Sequence, residues 1–439
     1  MAFRPFSVLN FIRVRRDIDF MRRSEGKRPW RVLIIVENLP VPFDRRVWSE
    51  ATTLIGAGYE VSVICPKGNG ATASFEVIDG VHIFRHPLLM EGKGGLGYFV
   101  EYSSALFWQF LLSLKVLYRR GFDVIQACNP PDFIFIIGAF YKLLLGKRFV
   151  FDHHDIAPEL YEAKFGKRGF LWRIMVLLER WTFAFADMSI ATNESYRAIA
   201  IDRGKMPKDH VFVVRSGPNL ARVQSVPADA RWKKRRSFLA AYVGVIGKQE
   251  GLDLLLESIG HIRNVRGRND VQYIIVGGGP ELDSTKALAT KMGLDDVVEF
   301  LGRVDDATLF SVLSTADVCV NPDRPNVMND KSTMNKIMEY MALGKPIVQF
   351  DLTEGRFSAM DSSLYARNTD TADFGDKILT LLDDEPLRAR MGAFGQKRVK
   401  DVLAWKYEAP KLIQAYDKLL GSVAPARLPE RSYRNEGVS

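Results

Sequence analysis

Two segments of the sequence bring together side chains that can do chemistry. The first is Asp152-His153-His154-Asp155, which comes directly after an apolar run. Two imidazoles and two carboxylates in this order can bind a metal ion, transfer protons or hydrogen-bond a sugar. The second segment runs from Asn329 to Gly344 and combines carboxylates, hydroxyls and lysines in a proline-free stretch that favours a helix. Both segments are candidate functional sites.

The first half of the second segment is typical of an anion site at the start of a helix. Ser332 and Thr333 precede a run without proline, so we expect the helix to begin there. The backbone amides of residues 331–334 would then face an anion such as a diphosphate. Glu339 would lie about two turns into the helix, where an isolated glutamate is usually a solvated surface residue.

The elements that position these segments are strands and helices in alternation. Arg31–Val36 indicates a buried parallel strand, a helix follows from about Arg46 to Gly56, and Glu60–Cys65 completes a right-handed βαβ unit. The other predicted strands are 81–85, 123–127, 148–152, 188–191, 211–214, 239–243, 272–276, 297–300, 317–320 and 346–350. The pattern predicts an α/β protein with two Rossmann-like domains.

The alternation stops between about Leu220 and Phe238, where a proline and a basic run indicate a linker. The predicted parts are a basic amphipathic arm over 1–29, an N-terminal domain over 30–225, a C-terminal domain over 238–402, a helix returning to the first domain over 403–421, and a disordered tail over 422–439. Because ligands of open α/β sheets bind outside the carboxyl ends of the strands, we expect the domains to face each other across one cleft.

The chain has 439 residues and a net charge of +9. Eight Lys and Arg against three Asp and Glu fall within residues 1–28, interleaved with apolar residues, so this arm either lies on an anionic membrane or is a solvated or packed segment. The apolar stretch 98–120 indicates either an interfacial helix or a core helix. No stretch is long and apolar enough to predict a transmembrane helix, and the three widely spaced cysteines indicate buried thiols in a reducing compartment. No RNA- or DNA-binding motif accompanies the positive charge, so no nucleic-acid partner is expected.

The run from Asn329 to Val348 resembles the donor-site signature of the retaining GT-B glycosyltransferases of family 4, in particular a branch that builds bacterial surface polysaccharides. The similarity extends to Asp152–Asp155, to Gly244–Gly251 and to Val276–Pro280, and it covers most of residues 31–415. The resemblance implies a GT-B fold and a hexosyltransferase that moves a sugar from a UDP- or GDP-sugar to a saccharide or polyprenyl-linked acceptor. It also implies retention of anomeric configuration, with neither metal nor cofactor.

The resemblance also implies roles for individual residues. On the donor side, Glu339 would grip the ribose, Asp330 the sugar, and Lys331, which stands where the family has another glutamate, the phosphate. The other donor-side candidates are Gly244, Gly247, Lys248, Ser332 and Thr333. In the first half, His154 would touch the donor sugar. The acceptor-side candidates are Asp44, Arg45, Arg46, His153 and Asp155, with His153 alternatively packed in the core, and Arg215 and Asn219 are weaker candidates.

The sequence departs from the family pattern in the turn after the strand 239–243. The family often has an arginine and a lysine where this chain has Val245 and Glu250. Lys248 is then the cation of the turn that we expect at the leaving diphosphate. With Lys331, these departures keep two alternatives open: a sugar-nucleotide epimerase on the same fold, and an inactive scaffold that binds polysaccharide or membrane. The expected location is cytoplasmic, with peripheral attachment to the inner face of the plasma membrane as a further hypothesis.

Overall fold

The computed structural model describes residues 28–68, 70–87 and 94–421, with the side chains of 94–102 left aside. The described chain forms two compact units. The first contains the residues up to Pro158, Lys167–Val214 and those from Ala409 onward, and the second contains Glu159–Gly166 and Arg215–Glu408. The predicted arm over 1–29 and tail over 422–439 fall almost entirely outside the described residues.

The first unit is built on an eight-stranded sheet in the order β3-β4-β2-β1-β5-β6-β7-β8. Its strands are β1 Arg31–Ile35, β2 Glu60–Pro66, β3 Phe75–Ile78, β4 Val81–His86, β5 Val124–Cys128, β6 Arg148–His153, β7 Met188–Ala191 and β8 Val211–Val213. Its helices are α1 Arg45–Gly56, α2 Gly94–Arg119, α3 Phe135–Leu145, α4 Ala157–Phe165, α5 Phe170–Phe185 and α6 Glu194–Asp202, with α4 continuing into the second unit. The interior strands are buried on both faces, as near-continuous apolar runs require.

The edge strand β3 was not predicted from the sequence. It pairs antiparallel with β4, whereas the other described strands of this sheet pair in parallel. Only every second residue of β3 is partly covered, because an edge strand has one face toward solvent. Four residues with this pattern give a weak periodic signal.

The second unit is built on a six-stranded parallel sheet in the order β11-β10-β9-β12-β13-β14. Its strands are β9 Phe238–Val243, β10 Val271–Val276, β11 Val298–Gly302, β12 Val318–Asn321, β13 Ile347–Phe350 and β14 Ser363–Ala366. Its helices are α7 Leu252–Asn264, α8 Leu282–Lys291, α9 Asp306–Thr315, α10 Val327–Lys331, α11 Asn335–Ala342, α12 Thr353–Ala359, α13 Thr371–Asp383 and α14 Glu385–Arg398. One apolar cluster packs on each face of the sheet.

The boundary between the units lies at Arg215 rather than between residues 225 and 238. Leu220 and Val223 pack against an apolar cluster of the second unit, and the backbone N–H of Val226 donates to Ser314 Oγ. The segment therefore belongs to the second unit although it carries linker-like residues. The last helix, α15 Trp405–Leu420, begins in the second unit, and its residues from Ala409 belong to the first.

None of the helices in the described part of the chain combines the length and hydropathy that crossing a bilayer requires. The 26-residue helix α2 is the longest of them. Its charged C-terminal residues and exposed polar positions interrupt the apolar surface.

Candidate active site

The carboxyl ends of β5 and β6 in the first unit carry a buried group of polar side chains. Asp152, near the end of β6, is fully buried at its centre. Oδ1 of Asp152 accepts a hydrogen bond from Arg46 Nη2 at 2.9 Å, and Oδ2 lies 2.6 Å from Nε2 of His154. We call Arg46, Glu50, Gln126, Asp152 and His154 the buried polar network.

The two acids of this network differ in protonation. Burial opposes ionisation of Asp152, but Arg46 and then His154 outweigh it and hold the pKa of Asp152 well below its ordinary value. Burial first, and the Asp152 charge second, raise the pKa of Glu50 well above its ordinary value, although Oε1 of Glu50 lies 3.0 Å from Arg46 Nη2. The opposite directions of the two pKa shifts make Asp152 the acid that carries the negative charge and favour the protonated form of Glu50.

The ionised Asp152 fixes the tautomer of His154. Oδ2 can only accept, so the imidazole proton lies on Nε2. Nε of Arg46 is 3.0 Å from the same nitrogen, but a protonated Nε2 cannot accept, so the shorter contact with the carboxylate prevails. In the neutral form of the ring this leaves the lone pair of His154 on Nδ1, and 15% of the side chain is exposed. His154 can accept a hydrogen bond from a ligand hydroxyl through Nδ1.

Asn129 fixes the backbone of the loop that carries His154. Its Oδ1 accepts hydrogen bonds from the N–H groups of His154 at 2.7 Å and Asp155 at 3.2 Å. Its Nδ2 donates to Asp132 Oδ1 at 2.8 Å and to the carbonyl oxygen of Asp155 at 2.6 Å. Asp155 therefore contributes its backbone to this loop, and its side chain is partly exposed. Asn129 directly follows β5. This position at a strand end is the only sequence feature that could have indicated Asn129 as a site residue.

Gln126 connects the buried polar network to Tyr416, which lies far from it along the chain. The side-chain amide of Gln126 donates to Glu50 at 2.7 Å and to Asp152 at 3.0 Å. Its oxygen accepts a hydrogen bond from the hydroxyl of Tyr416, in α15, at 2.5 Å. Gln126 and Tyr416 are separated by 290 positions, so nothing in the local sequence pattern indicates this contact.

The structure corrects the acceptor-side assignment of His153. Its side chain is fully buried, with its ring centroid 5.3 Å from those of Phe151 and Phe183 and 5.0 Å from that of Tyr196. Burial, and then Arg203, lower the pKa of His153 to about 3, so the ring is neutral at physiological pH. His153 is a core residue and cannot reach an acceptor.

The segment Asp44–Arg46 has three different surroundings. Asp44 caps helix α1, with Oδ1 accepting from the N–H of Val47 at 3.1 Å. Arg45 is exposed at the first position of the helix. The acceptor-side assignment of Arg46 is wrong. Its side chain points into the buried polar network, where Asp152 neutralises its charge, and it also donates to the carbonyl oxygen of Val214. Of the two arginines, Arg45 is the exposed one.

Among the described residues, Cys128, Asp152 and His154 form one group whose ligand atoms lie within 4.8 Å of one another. A metal ion would need the Cys128 thiolate, but burial and then the Asp152 charge raise the pKa of this thiol well above its ordinary value. Arg46 also occupies the Asp152 carboxylate with a fixed positive charge. The chemistry of this donor set does not fit a metal ion.

In the second unit, helix α11 begins at Asn335 and not at Ser332. Ser332 ends the preceding short helix α10, with its N–H donating to the carbonyl oxygen of Asn329 and its Oγ to that of Met328. Ser332 and Thr333 thus form an extended connection between two helices. The amides of residues 331–334 therefore do not lie at the start of α11. This helix begins at Asn335, and Met334 is its N-cap residue.

Glu339 lies on α11, which is locked onto the sheet by its neighbour Tyr340. The Tyr340 hydroxyl accepts from the N–H of Val243 at 2.8 Å and reaches the carbonyl oxygen of Val320 at 3.4 Å. Oε1 of Glu339 lies 3.3 Å from Nη1 of Arg222, and 13% of the Glu339 side chain is exposed. The carboxylate is thus held at a defined position beside the carboxyl end of the sheet.

Arg222 is a contact that the sequence did not indicate. It forms a two-point ion pair with Asp306, with Nε and Nη2 at 2.7 and 2.5 Å from the two carboxylate oxygens, and its guanidinium lies over the ring of Phe310. A paired, stacked arginine is rigid, so Arg222 orients Glu339.

Asp330 and Lys331 lie in the short helix α10. Oδ1 of Asp330 accepts from the N–H of Thr353 at 2.8 Å and so caps the start of α12. Lys331 is the last residue of α10 and is partly exposed. The weaker candidates Arg215 and Asn219 are also held locally: Arg215 pairs with the buried Glu354 at 3.1 Å, and Asn219 Oδ1 accepts from the N–H of Ala221.

The glycine turns after β9 and β10 pack directly against each other. The N–H groups of Gly244 and Ile246 donate to the carbonyl oxygens of Val276 and Gly278, both at 3.1 Å. Gly277 has φ +136°, and a Cβ there would lie 1.8 Å from the carbonyl oxygen of Gly244. The amide of Gly244 is therefore committed to the neighbouring turn, and Gly244 matters for close packing rather than as a phosphate donor.

Lys248 is exposed in the same turn. Together with the buried Gly247 it lines a polar cavity of about 500 Å³, whose wall also includes Asp253, Ser284 and Arg324. Its ammonium group is placed to meet an anion that approaches this edge of the second unit.

Two family profiles match the chain. "Glycosyltransferase Family 4" matches residues 44–222, and "Glycosyl transferases group 1" matches residues 237–384. A phosphatidyl-myo-inositol mannosyltransferase of Mycobacterium leprae is 28% identical over 212 residues, which are 47% of this chain and 53% of that protein. The chain thus spans about half the length of the curated relative that it matches.

Solved structures share the fold over nearly the whole described chain. Sucrose-phosphate synthase from Thermosynechococcus elongatus superposes with a TM-score of 0.74 and 18% identity, covering 89% of this chain and 99% of that one. HepE from Anabaena, in complex with UDP and glucose, superposes with a TM-score of 0.67 and 15% identity, covering 89% of this chain and 100% of that one. At these identities the likeness establishes a common fold.

Proposed function

Because this chain belongs to family 4 of the GT-B glycosyltransferases, we propose that it transfers a hexose from a UDP- or GDP-sugar to a saccharide acceptor with retention of anomeric configuration. The observation that carries the proposal is the position of the Glu339 carboxylate. Glu339 lies on helix α11 at the carboxyl end of the second sheet, and Arg222 orients its carboxylate. A carboxylate fixed in this way accepts hydrogen bonds from two adjacent ribose hydroxyls.

The remaining donor-side assignments follow from charge and hydrogen-bonding capacity. We assign Lys331 and Lys248 to the diphosphate, because ammonium groups neutralise the charge that develops on the leaving phosphate. Asp330 is assigned to the sugar through its second carboxylate oxygen, since Oδ1 already accepts from Thr353. His154 is assigned to the transferred sugar, because its Nδ1 can accept a hydrogen bond from a sugar hydroxyl.

The proposed reaction needs no protein nucleophile. The acceptor hydroxyl attacks the anomeric carbon on the face that the diphosphate leaves, the bond from that carbon to the phosphate oxygen breaks, and the hydroxyl proton passes to the departing phosphate. Positive side chains then stabilise the nucleoside diphosphate without a metal ion. Turnover that is unchanged after treatment with EDTA would support this, and loss restored by Mg²⁺ or Mn²⁺ would contradict it.

We further propose that the acceptor is lipid-linked, as in surface or exopolysaccharide assembly, and that the protein binds peripherally to an anionic membrane on its inner face. The support is a surface formed by three helices of the first unit, which we call the cationic apolar face. Helices α2 and α3 touch through Phe110 and Phe140, and α3 and α5 touch through Phe135 with Trp181 and Phe185.

The cationic apolar face combines exposed large apolar side chains with positive charge. The exposed apolar residues are Phe107, Leu111, Leu114, Tyr118, Ile136, Leu143, Leu144, Phe170, Leu171, Leu177 and Trp181. The exposed basic residues of these helices are Lys115, Arg119, Arg173 and Arg180, and Arg148, Lys167 and Arg168 lie in the segments next to α3 and α5. Glu179, an acid within α5, is buried and paired with Arg203. Aromatic and aliphatic side chains beside Arg and Lys suit the interface of an anionic bilayer.

A donor-hydrolysis screen across UDP- and GDP-sugars tests the proposed activity. We expect slow release of the sugar from one donor, and ¹H NMR of the first product should show the anomeric configuration of the donor. Release of the opposite anomer would contradict retention. Conversion of a nucleotide sugar into its epimer would favour the epimerase alternative, and absence of binding to every nucleotide sugar would favour the scaffold.

Flotation with liposomes tests the membrane proposal. We expect the protein to float with vesicles that contain phosphatidylglycerol and not with pure phosphatidylcholine, and replacement of Phe170 and Trp181 by serine should weaken this binding. Val265→Ser is the control, since Val265 is also an exposed apolar residue but lies in the second unit. If the wild type and a variant lacking residues 1–28 both stay unbound, the proposal fails.

A further inference from the structure

The turn after β9 has an apolar and an acidic residue at the two positions where the family resemblance implies cations. Val245 is apolar and 54% exposed, and Glu250 brings a carboxyl group in place of an ammonium group. The positive charge of this turn would therefore neutralise a donor diphosphate only in part. A cation supplied from another element would resolve the deficit.

Lys336 reaches this turn from helix α11. Its Nζ donates to Asp323 Oδ1 at 2.9 Å and to the hydroxyl of Tyr242 at 3.3 Å, and it lies 4.7 Å from the centroid of the Tyr242 ring. A Cβ placed on Gly244 would lie 3.5 Å from this nitrogen, so the ammonium group stands directly over the glycine at the end of β9. The end of β9 is where ligands of open α/β sheets bind.

The surroundings hold Lys336 in place and leave one of its donors available. Asp323 is almost fully buried, and only 11% of the Lys336 side chain is exposed. An ammonium group has three N–H donors, and the described residues supply two acceptors for it. The third donor and the exposed fraction of the side chain can both serve a ligand.

Buried polar atoms without a protein partner among the described residues cluster around the same strand ends. They are both side-chain polar atoms of Asn321, Oδ2 of Asp323 and Oε2 of Glu250. Asn321 is the last residue of β12 and is fully buried, and a Cβ on Gly247 would lie 2.7 Å from Oε2 of Glu250. Buried polar groups are nearly always hydrogen-bonded, so their concentration here indicates a place for a polar ligand.

We propose that Lys336 is a further ammonium donor to the donor diphosphate, beside Lys248 and Lys331, and that Asp323 and Tyr242 hold it over Gly244. This inference rests on the proposed function, because it needs a nucleoside-diphosphate donor at the second unit. In this arrangement the helix that presents Glu339 to the ribose also presents Lys336, one turn earlier, to the phosphates.

Calorimetric titration with matched ligands tests the assignment, using UDP-glucose against uridine and GDP-mannose against guanosine. Lys336→Gln keeps a hydrogen-bond donor for Asp323 and Tyr242 but removes the charge. We expect it to lower the affinity for the nucleotide sugar by about 10- to 100-fold and to leave the affinity for the nucleoside unchanged. Lys336→Arg should restore most of the loss. Lys291→Met, at an exposed position of α8, is the control and should bind as the wild type does.

The outcomes separate this inference from the proposed function. A wild-type protein that binds no nucleotide sugar overturns the proposed function itself. If the wild type binds but Lys336→Gln binds the nucleotide sugar equally well, or loses nucleoside and nucleotide sugar to the same extent, Lys336 has only a structural role. Should Lys336→Gln fail to fold, Lys336→Arg must still prefer the nucleotide sugar over the nucleoside, and loss of that preference overturns the inference.

Discussion

Arg46 lies within reach of the carboxyl groups of Asp152 and Glu50. We predict that Glu50 takes over the ion pair with Arg46 when the carboxylate of Asp152 is removed. In the native protein the ionised Asp152 neutralises Arg46, while burial, and then the Asp152 charge, raise the pKa of Glu50 and favour its protonated form. In Asp152→Asn that charge is gone, so Glu50 ionises and pairs with Arg46 across the existing 3.0 Å contact. The cost of this substitution is then mainly that of lost charged hydrogen bonds, about 2 kcal/mol.

The double substitution should cost far more than the sum of the single ones. Glu50→Gln alone replaces a neutral acid by a neutral amide and should cost less than about 1 kcal/mol. Asp152→Asn with Glu50→Gln leaves Arg46, whose side chain is 8% exposed, without an anion, and a buried charge deprived of its partner costs about 3–5 kcal/mol. We therefore expect a coupling of about 1–2 kcal/mol between the two sites.

Thermal unfolding of the first unit, followed by calorimetry at pH 7.5, measures this cycle. At 2–4 °C for each kcal/mol, we expect Asp152→Asn to lower the Tm by roughly 4–8 °C and the double variant by roughly 6–20 °C. Glu60→Gln is the control, because Glu60 pairs with Arg31 near the surface and should change stability by less than about 1 kcal/mol. Strictly additive changes in Tm would refute the exchange of protonation between Glu50 and Asp152.

Two further predictions concern the second unit. Burial raises the pKa of Glu250 to about 7, with Lys336 opposing and Asp323 assisting the shift. The carboxyl group is neutral below that pH and gains a negative charge above it, so affinity for UDP- or GDP-sugar, whose own charge is constant, should fall between pH 6 and 8. Glu250→Gln should remove this dependence in calorimetric titrations. Separately, Gly277→Ala should destabilise the protein by more than about 2 kcal/mol, because its Cβ would collide with the carbonyl oxygen of Gly244 at φ +136°.

Each of these predictions has a distinguishing control. A pH dependence of donor affinity that persists unchanged in Glu250→Gln would show that another group titrates. Gly267→Ala isolates backbone strain, since Gly267 has φ +67° but no atom within 4 Å of its Cβ position. Its cost should be about 1 kcal/mol, and an equal loss of Tm in Gly277→Ala would contradict the close contact between the two turns.

Most of the architecture follows from apolar runs at regular intervals, and this is why the interior strands could be predicted. Strand β1 and strand β12 are buried on both faces, so their sequences are apolar apart from Arg31 at the start of β1 and Asn321 at the end of β12. The edge strands β3 and β14 were missed because exposed or half-buried residues interrupt their apolar pattern. The unit boundary was misplaced because residues 215–233 have a linker-like composition yet pack on the second unit.

The candidate sites could be located from sequence but not resolved into individual roles. A strand end followed by His and Asp marks the neighbourhood of His154, yet the same pattern cannot tell that His153 turns into the core. The start of α11 was misplaced because Ser332 has the side chain of a helix cap but closes the preceding helix instead. Lys336 was overlooked because its partner Asp323 lies on a different element.

Calorimetric titration of UDP- and GDP-sugars into the wild type and Glu339→Ala tests the donor site most directly. We predict that the wild type binds one nucleotide sugar and that Glu339→Ala weakens this binding by about 10- to 100-fold, because the ribose loses hydrogen bonds to a carboxylate. Glu257→Ala, at an exposed position of α7, should bind as the wild type does. Equal affinity of Glu339→Ala and wild type for the same nucleotide sugar would contradict the assignment of the donor site to helix α11.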